Sequence, residues 1–307
     1  MSQNASVTDD TLFMLGSISK VVVGVAFMQL LEQGLVELDD NVNDYLSFDV
    51  VHPLYPDRNI TPRMLLSHVS GIRDNWNILG PLQSTGDSPI QLDEFTEGYL
   101  TDGGQYYNSL NFGSDAPGTN YEYTNTGNTL VAYLVEVISG ISFEQYCQEN
   151  IFVPLNMTDS SYRLENLDEN SIAIPYDLVG TGYIPLAHYG SPVYPAGFLR
   201  TSIVQLGRLL SMIMFNGTYN GNIVLRSSSI QTMMTLHYPD TSQGYGLCLQ
   251  YFNPFWGHGG GAPGVVTTMR FLPEYNPGII ILTNGENGNA VIRILNLVWD
   301  YATELVQ

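Results

Sequence analysis

Residues 16–34 have the sequence GSISKVVVGVAFMQLLEQG. Apolar residues recur along it at helical spacing, and Gly34 follows as a residue that readily takes the left-handed conformation that ends helices. The pattern therefore predicts a helix from Ser17 to Gln33. Because residues three positions apart share one face of a helix, we expect Ser17 and Lys20 to lie within reach of each other.

Lys20 is the only lysine of the chain, whereas arginine occurs nine times. A serine hydroxyl becomes a good nucleophile when a neighbouring base takes its proton, and a lysine can help when burial or a nearby cation lowers its pKa. At the first turn of the helix, Ser17 would also lie where free N–H groups favour an oxyanion. The Ser-x-x-Lys pattern alone is weak evidence for a catalytic site. The alternative interpretation is a solvated lysine on a helix face.

A second candidate site is Tyr123-Thr124-Asn125. Tyr123 and Asn125 alternate around one residue of an extended turn, so both side chains can point into the same cleft. A tyrosine near a cation can act as a general base, and an asparagine amide can hold a substrate carbonyl. The alternative is a tyrosine that packs over a turn, since the chain contains 20 tyrosines.

A third candidate site is the glycine-rich run WGHGGGAPG at residues 256–264, which contains His258. Glycines let a substrate approach the backbone and leave N–H donors uncovered, as an oxyanion hole requires. A glycine-rich turn with an incidental histidine is the alternative. Lipase-type α/β-hydrolases also carry a HGGG run, but they combine it with a G-x-S-x-G nucleophile motif, which this chain lacks.

The composition excludes several classes of function. Of 307 residues, 44% are apolar, and 30 acidic residues against 10 basic ones give a net charge of −20. This charge repels phosphate backbones and anionic lipid headgroups, so no nucleic-acid partner is expected. No apolar run reaches the roughly 18–20 residues of a membrane span. The N-terminus has no secretory leader pattern, two cysteines are too few for a disulfide framework or a cysteine metal site, and the compartment stays open.

Secondary-structure signals divide the chain into a helical middle and a strand-rich end. Apolar periodicity predicts helices at 126–139 and 288–305. β-Branched runs predict strands at 265–272 and 278–282. The stretch from 78 to 121, rich in glycine, serine and aspartate, is predicted to be loop.

Taken in order, Ser-x-x-Lys, Tyr-x-Asn and His-x-Gly resemble the three motifs of the serine β-lactamase and penicillin-binding-protein superfamily. The resemblance is closest to the class C β-lactamase-like branch, which also holds esterases, D-aminopeptidases and D,D-carboxypeptidases. It extends through TLFMLGSISK, LLEQGLVELDDNVNDYL, ITPRMLLSHVSGI, APGTNYEYTNTGN, FVPLNM, YPAGFLRTS and GHGGGAPG, between residues 11 and 264.

The resemblance implies an α+β fold, in which an antiparallel sheet flanked by helices (an α/β lobe) lies beside an all-helical lobe. The expected sheet lobe comprises residues 1–45 and 236–307. The expected helical lobe comprises residues 46–235, with the active site at the interface of the two.

The same resemblance implies catalytic roles for three residues. Ser17 would be the acylated nucleophile and Lys20 its partner. Tyr123 would be the general base, or would share that role with Lys20. No metal ion and no cofactor is expected.

Substrate-binding roles follow from the resemblance in the same way. Asn125 would orient the substrate, and the backbone N–H groups of Ser17 and Gly261 would form the oxyanion hole. Gly260 and His258 are the other expected substrate-binding positions.

Two departures from the family pattern bear on the substrate. Gly259 lacks the hydroxyl that threonine or serine supplies in β-lactamases, and His258 replaces the lysine of many members. An unperturbed imidazole titrates near 6.5, so His258 is expected to modulate turnover between about pH 5 and 8. Both changes favour a serine acyl hydrolase of the esterase, amidase or D-peptidase type. A true β-lactamase or D,D-carboxypeptidase is one alternative, and a catalytically silent homologue that binds a peptide or partner is the other.

The largest departure is at the front of the chain. Family members normally have about two strands before the Ser-x-x-Lys helix, whereas only sixteen, mainly polar, residues precede Ser17 here. The strand at 278–282 would then expose an edge. Either the chain is truncated, or a second copy donates the strands in a homodimer, or the lobe is rebuilt.

Overall fold

The computed structural model describes residues 6–180, 182–273 and 277–304. Its α-helices, in chain order, are α1 (Ser19–Glu32), α2 (Pro62–Leu66), α3 (Trp76–Leu79), α4 (Leu92–Leu100), α5 (Asn125–Ser139), α6 (Phe143–Cys147), α7 (Ile203–Met214), α8 (Ser227–Met233) and α9 (Gly288–Glu304). Its strands are β1 (Leu12–Met14), β2 (Ser84–Thr85), β3 (Tyr176–Val179), β4 (Gly182–Pro185), β5 (Tyr189–Gly190), β6 (Arg200–Ser202), β7 (Thr218–Tyr219), β8 (Asn222–Ile223), β9 (Gln250–Tyr251), β10 (Trp256–Ala262), β11 (Val265–Phe271) and β12 (Gly278–Thr283).

The main sheet is antiparallel and has the strand order β9-β10-β11-β12. Helix α9 covers one side of it, because Val291 and Leu295 pack with Ile279 and Ile281 of β12. Within the described ranges β12 pairs with β11 alone, so it forms one edge of the sheet. The other eight of these strands form two-stranded ribbons, of which β1 with β6 lies next to the start of α1.

Helix α1 lies at the centre of the core. Eleven of its 14 residues are buried, among them Lys20. A helix that is apolar on all sides is a core helix, and α1 packs mainly against α5. A 3₁₀ turn, Gly16–Ile18, precedes α1 and contacts β10. The residue that begins the Ser-x-x-Lys motif therefore lies where the helical layer meets the sheet.

The predicted fold class is confirmed, and most predicted elements are present. The helix expected at 17–33 is the 3₁₀ turn followed by α1, with Gly34 at φ +70° beyond its end. The other predicted helices are α5 and α9, and residue 305 lies outside the described residues. The two predicted strands are β11 and β12. The lobe boundaries at 45/46 and 235/236 stay predictions.

The prediction of loop for 78–121 is wrong, because this stretch contains α4. Phe95 and Tyr99 of α4 are fully buried. Asp93 and Glu94 occupy its first turn, where acidic side chains stabilise a helix. The apolar positions of α4 have helical spacing. The segments on both sides of the helix are rich in glycine and polar residues, so the composition of the whole stretch is typical of loop.

Among the described residues, no single helix is long and apolar enough to cross a membrane. Residues 125–139 and 143–152 pass the length and composition test only as a pair, and the two segments are bent by 81°.

Candidate active site

Ser17 lies in the 3₁₀ turn at the start of α1 and is partly exposed. Gly16 in this turn has a φ of +57°. A Cβ atom on Gly16 would lie 2.7 Å from the backbone nitrogen of Gly261, closer than side chains tolerate. Because glycine alone permits this conformation and this approach, the turn that carries Ser17 packs directly against the backbone of Gly261 on β10.

Gly260 and Gly261 have different surroundings. A Cβ atom on Gly260 would lie 2.0 Å from the carbonyl oxygen of Leu15, to which the Thr267 hydroxyl also donates. Gly260 therefore allows β10 to pack against the turn that carries Ser17. Gly261 has no heavy atom within 4 Å of its Cβ position and faces open space.

Lys20 lies within hydrogen-bonding distance of Ser17. Its Nζ is 3.2 Å from the Ser17 Oγ and 2.7 Å from each of two further acceptors, the Asn125 Oδ1 and the Ala196 carbonyl oxygen. Burial lowers the pKa of Lys20 to about 7, although the Asp74 carboxylate opposes the shift. A large fraction of Lys20 is therefore neutral near neutral pH, as a proton acceptor must be.

Tyr123 lies next to Lys20, and the Lys20 Nζ is 4.9 Å from the centre of the Tyr123 ring. Burial raises the pKa of Tyr123, while a hydrogen bond with Ser17 acts in the opposite direction. The phenol consequently keeps its proton near neutral pH. Of the two candidate bases, Lys20 is the one whose pKa suits the role.

Asn125 is placed by Asp74, a residue to which sequence reasoning gave no role. The Asp74 Oδ2 accepts from the Asn125 side-chain Nδ2 at 2.7 Å and from its backbone N–H at 2.8 Å. The Asn125 Oδ1 accepts from Lys20. Both ends of the amide are thus engaged within the protein, whereas the sequence prediction had this amide hold a substrate carbonyl.

His258 is buried beside the site, and its Nδ1 lies 2.6 Å from the Gly259 carbonyl oxygen. Burial, helped by the charge of Lys20, lowers the pKa of His258 to about 3. The expectation that His258 titrates between pH 5 and 8 is therefore wrong. A histidine that remains neutral there supplies no cation for a substrate carboxylate.

His68 is a second buried histidine that the sequence analysis missed. Its ring centre lies 4.3 Å from that of Tyr123 and 5.0 Å from that of Tyr245. Burial lowers its pKa well below the usual value. The residue lies in ITPRMLLSHVSGI, a segment that carries the family resemblance, but nothing in its spacing ties it to Tyr123.

A cleft of about 90 Å³ opens in front of Ser17. Asn125 and Gly261 contribute to it, and Trp76, Val193 and Phe198 supply apolar walls. None of the described residues that line it carries a charged side chain. The structure thus brings Ser17, Asn125 and Gly261 to one cleft. The buried Lys20 contacts Ser17 and the ring of Tyr123, and the His258 ring lies 6.5 Å from that of Tyr123. Gly260 lies at the packing contact between β10 and the turn.

Comparison with known proteins gives concordant results. The family model described as Beta-lactamase matches residues 1–302. Penicillin-binding protein 4 of Amycolatopsis lactamdurans is 26% identical over 91% of this chain and 74% of its own length. A penicillin-binding protein from Bacillus halodurans has a TM-score of 0.76 at 22% identity, over 96% of this chain and 88% of the other. A D-stereospecific amidohydrolase from Streptomyces sp. has a TM-score of 0.70 at 21% identity, over 92% and 86%. The two structural likenesses concern the fold alone.

Proposed function

The chain belongs to the β-lactamase family. On this basis we propose that it is a serine acyl hydrolase that works through an acyl-enzyme on Ser17. The observation that carries the proposal is the 3.2 Å contact between the Ser17 Oγ and the Nζ of a fully buried Lys20. A lysine with a pKa of about 7 can accept a serine proton at neutral pH, which a solvated lysine cannot.

The proposed reaction has two stages. The Ser17 Oγ attacks the carbonyl carbon of the substrate as its proton passes to Lys20, and the N–H groups of Ser17 and Gly261 receive the developing oxyanion. Collapse of the tetrahedral intermediate expels the alcohol or amine, which takes up the proton from Lys20, directly or through the Tyr123 hydroxyl. Water then attacks the acyl-enzyme, the same groups move its proton, and the acid and free Ser17 are released.

We propose a neutral ester or amide, or a D-amino-acid peptide bond, as the substrate. The cleft lining supports this, since none of its described residues carries a charged side chain that could bind a substrate carboxylate. The D-stereospecific amidohydrolase among the structural neighbours shows the fold with one such activity.

A true β-lactamase or D,D-carboxypeptidase is the second candidate, because relatives of similar sequence are penicillin-binding proteins. Gly259 supplies no hydroxyl and His258 no charge for the carboxylate that these substrates carry. Turnover of short p-nitrophenyl esters against turnover of nitrocefin separates the two. We expect kcat/KM to be higher for the esters, and efficient nitrocefin hydrolysis with slow ester hydrolysis would contradict the assignment.

The same comparison of ester and nitrocefin turnover tests the third hypothesis, that the protein is a catalytically silent homologue. If neither substrate is turned over and no short-chain amide or D-amino-acid peptide is cleaved, the motifs serve binding alone. Ser17→Ala is the matched control, since any turnover that survives in this variant does not pass through Ser17.

We also propose that a second copy of the chain covers the open edge of β12. An unpaired edge strand can pair antiparallel with itself across a twofold axis. On the adjacent α9, Leu297 and Tyr301 are 71% and 63% exposed. Light scattering should show a dimer that Leu297→Glu dissociates, while Leu110→Glu, at a leucine that is 63% exposed and lies outside α9 and β12, should not. A wild-type monomer at micromolar concentration would refute this pairing.

A further inference from the structure

We propose that Asp74 is a positioning residue that fixes the Asn125 amide with its oxygen toward Lys20, an inference that rests on the Ser17 chemistry proposed above. Asp74 lies outside the Ser-x-x-Lys, Tyr-x-Asn and His-x-Gly motifs. Its role would be exerted entirely through Asn125 and Lys20.

The Asp74 carboxylate is saturated by donors from the segment that begins α5. Its Oδ2 accepts the backbone N–H and the side-chain Nδ2 of Asn125. Its Oδ1 accepts the Thr124 hydroxyl at 3.0 Å and both the backbone N–H and hydroxyl of Thr126 at 2.9 Å. Five hydrogen bonds to one carboxylate hold it in a single orientation.

This arrangement determines which end of the Asn125 amide faces Lys20. Because an ionised carboxylate can only accept, the amide must turn its NH₂ group toward Asp74 and its oxygen toward Lys20. The oxygen then lies 2.7 Å from the Lys20 Nζ. A flipped amide would place two N–H donors against the lysine and would displace the Nζ from Ser17.

Asp74 is itself held in place from α4. The Tyr99 hydroxyl accepts from the backbone N–H of Asn75 at 2.7 Å and donates to the carbonyl oxygen of Arg73 at 2.8 Å. It therefore binds the backbone on both sides of Asp74. Tyr99 is fully buried, so the helix hidden within the loop-like composition supports the site.

Asp74 also acts on the charge of Lys20. The other titratable groups around Lys20 are uncharged near neutral pH. The pKa values of Tyr123 and Cys248 are raised by burial, and those of His68 and His258 are lowered. Among the residues that the structure describes, Asp74 is the carboxylate that raises the pKa of Lys20 against burial. Loss of its charge should lower that pKa further.

The single lysine makes a direct test practical. Protein labelled with [ε-¹³C]lysine gives one lysine resonance, and its pH titration reports Lys20 alone. The wild-type midpoint should lie near 7. In Asp74→Asn it should fall by about two pH units, because the full negative charge that is removed is separated from the Lys20 Nζ by only two hydrogen bonds of 2.7 Å and the Asn125 amide group, at an effective dielectric constant near 20.

Thr126→Val is the matched control, because it removes one donor to the same carboxylate and leaves every charge in place. It should destabilise the fold without moving the Lys20 midpoint. An unchanged midpoint in Asp74→Asn, or an equal shift in Thr126→Val, would overturn the proposal. The lower limb of the pH–kcat/KM profile should move down with the midpoint in Asp74→Asn, which loss of folded protein alone would not cause.

If Asp74→Asn does not fold, the variant Asp74→Glu provides a second test of the positioning role. It keeps the charge but displaces it by one methylene, so the midpoint should remain near the wild-type value while kcat falls by about tenfold. Wild-type kcat in Asp74→Glu would refute the positioning role. Because the titration does not depend on turnover, an inactive wild-type protein would refute the proposed function alone.

Discussion

The burial of Lys20 makes the stability of the fold depend on pH in a defined way. The pKa of Lys20 falls from 10.5 to about 7 on folding, because burial removes the ammonium from water. Between these two values the unfolded chain binds more protons than the native one, so stability rises with pH. Below about pH 7 both states hold the proton, and the full cost of burying the charge is present.

The size of the effect follows from the shift. A difference of this magnitude corresponds to about 5 kcal/mol across the whole window, of which about 3 kcal/mol falls between pH 6 and 9.5. Other groups titrate in the same range, so the quantity to measure is the difference in unfolding free energy between wild type and Lys20→Met. Methionine keeps the apolar stem, and the lost hydrogen bonds to Asn125 and Ala196 contribute an offset that changes little with pH.

Urea unfolding at pH 6, 8 and 9.5 gives this difference directly. We expect wild type to gain about 3 kcal/mol relative to Lys20→Met from the lowest to the highest pH. A difference that stays flat would mean that Lys20 is protonated throughout and has the pKa of a solvated lysine. The proton transfer from Ser17 would then have no acceptor in this residue.

Further predictions concern the groups around Ser17. The double variant Lys20→Met/Tyr123→Phe should have a kcat little below that of the slower single variant, because mutations of residues that act as one unit have strongly non-additive effects. Multiplicative losses in kcat would contradict a shared proton network. Gly260→Ala should strongly lower the midpoint of thermal unfolding, because its Cβ would lie 2.0 Å from a backbone oxygen. Gly261→Ala should keep the wild-type midpoint, because no heavy atom lies within 4 Å of its Cβ position. Equal shifts of the two midpoints would refute this packing. His258→Gln should leave the pH–kcat/KM limb near 7 in place, because the pKa of His258 is about 3; loss of that limb would assign it to the histidine.

Sequence reasoning identified part of the candidate site because the signals for that part are local. Ser17 and Lys20 lie three positions apart at the start of the α1 segment. Apolar periodicity marks both α1 and α5, and Thr124 and Gly140 cap α5. The single lysine pointed to the same place. Family resemblance then linked Tyr123, Asn125 and the strand of His258 to it, a link that spacing alone does not provide.

The remaining features depend on contacts between distant segments. The pKa of His258 depends on burial by the surrounding elements, so a free imidazole value misled the prediction. Asp74 reaches Asn125 across 51 positions in the chain, and no periodicity marks such a pair. Helix α4, whose Tyr99 holds the backbone around Asp74, is concealed by glycine and aspartate on either side.

Covalent labelling tests whether Ser17 is the nucleophile. The protein is treated with a fluorophosphonate, its intact mass is measured, and the adduct is mapped by peptide sequencing, with Ser17→Ala as the control. We predict one phosphonate per chain, located on Ser17, with a labelling rate that rises with pH through about 7 as Lys20 loses its proton. Absence of labelling in a folded wild-type protein, or stoichiometric labelling of Ser17→Ala, would contradict the account.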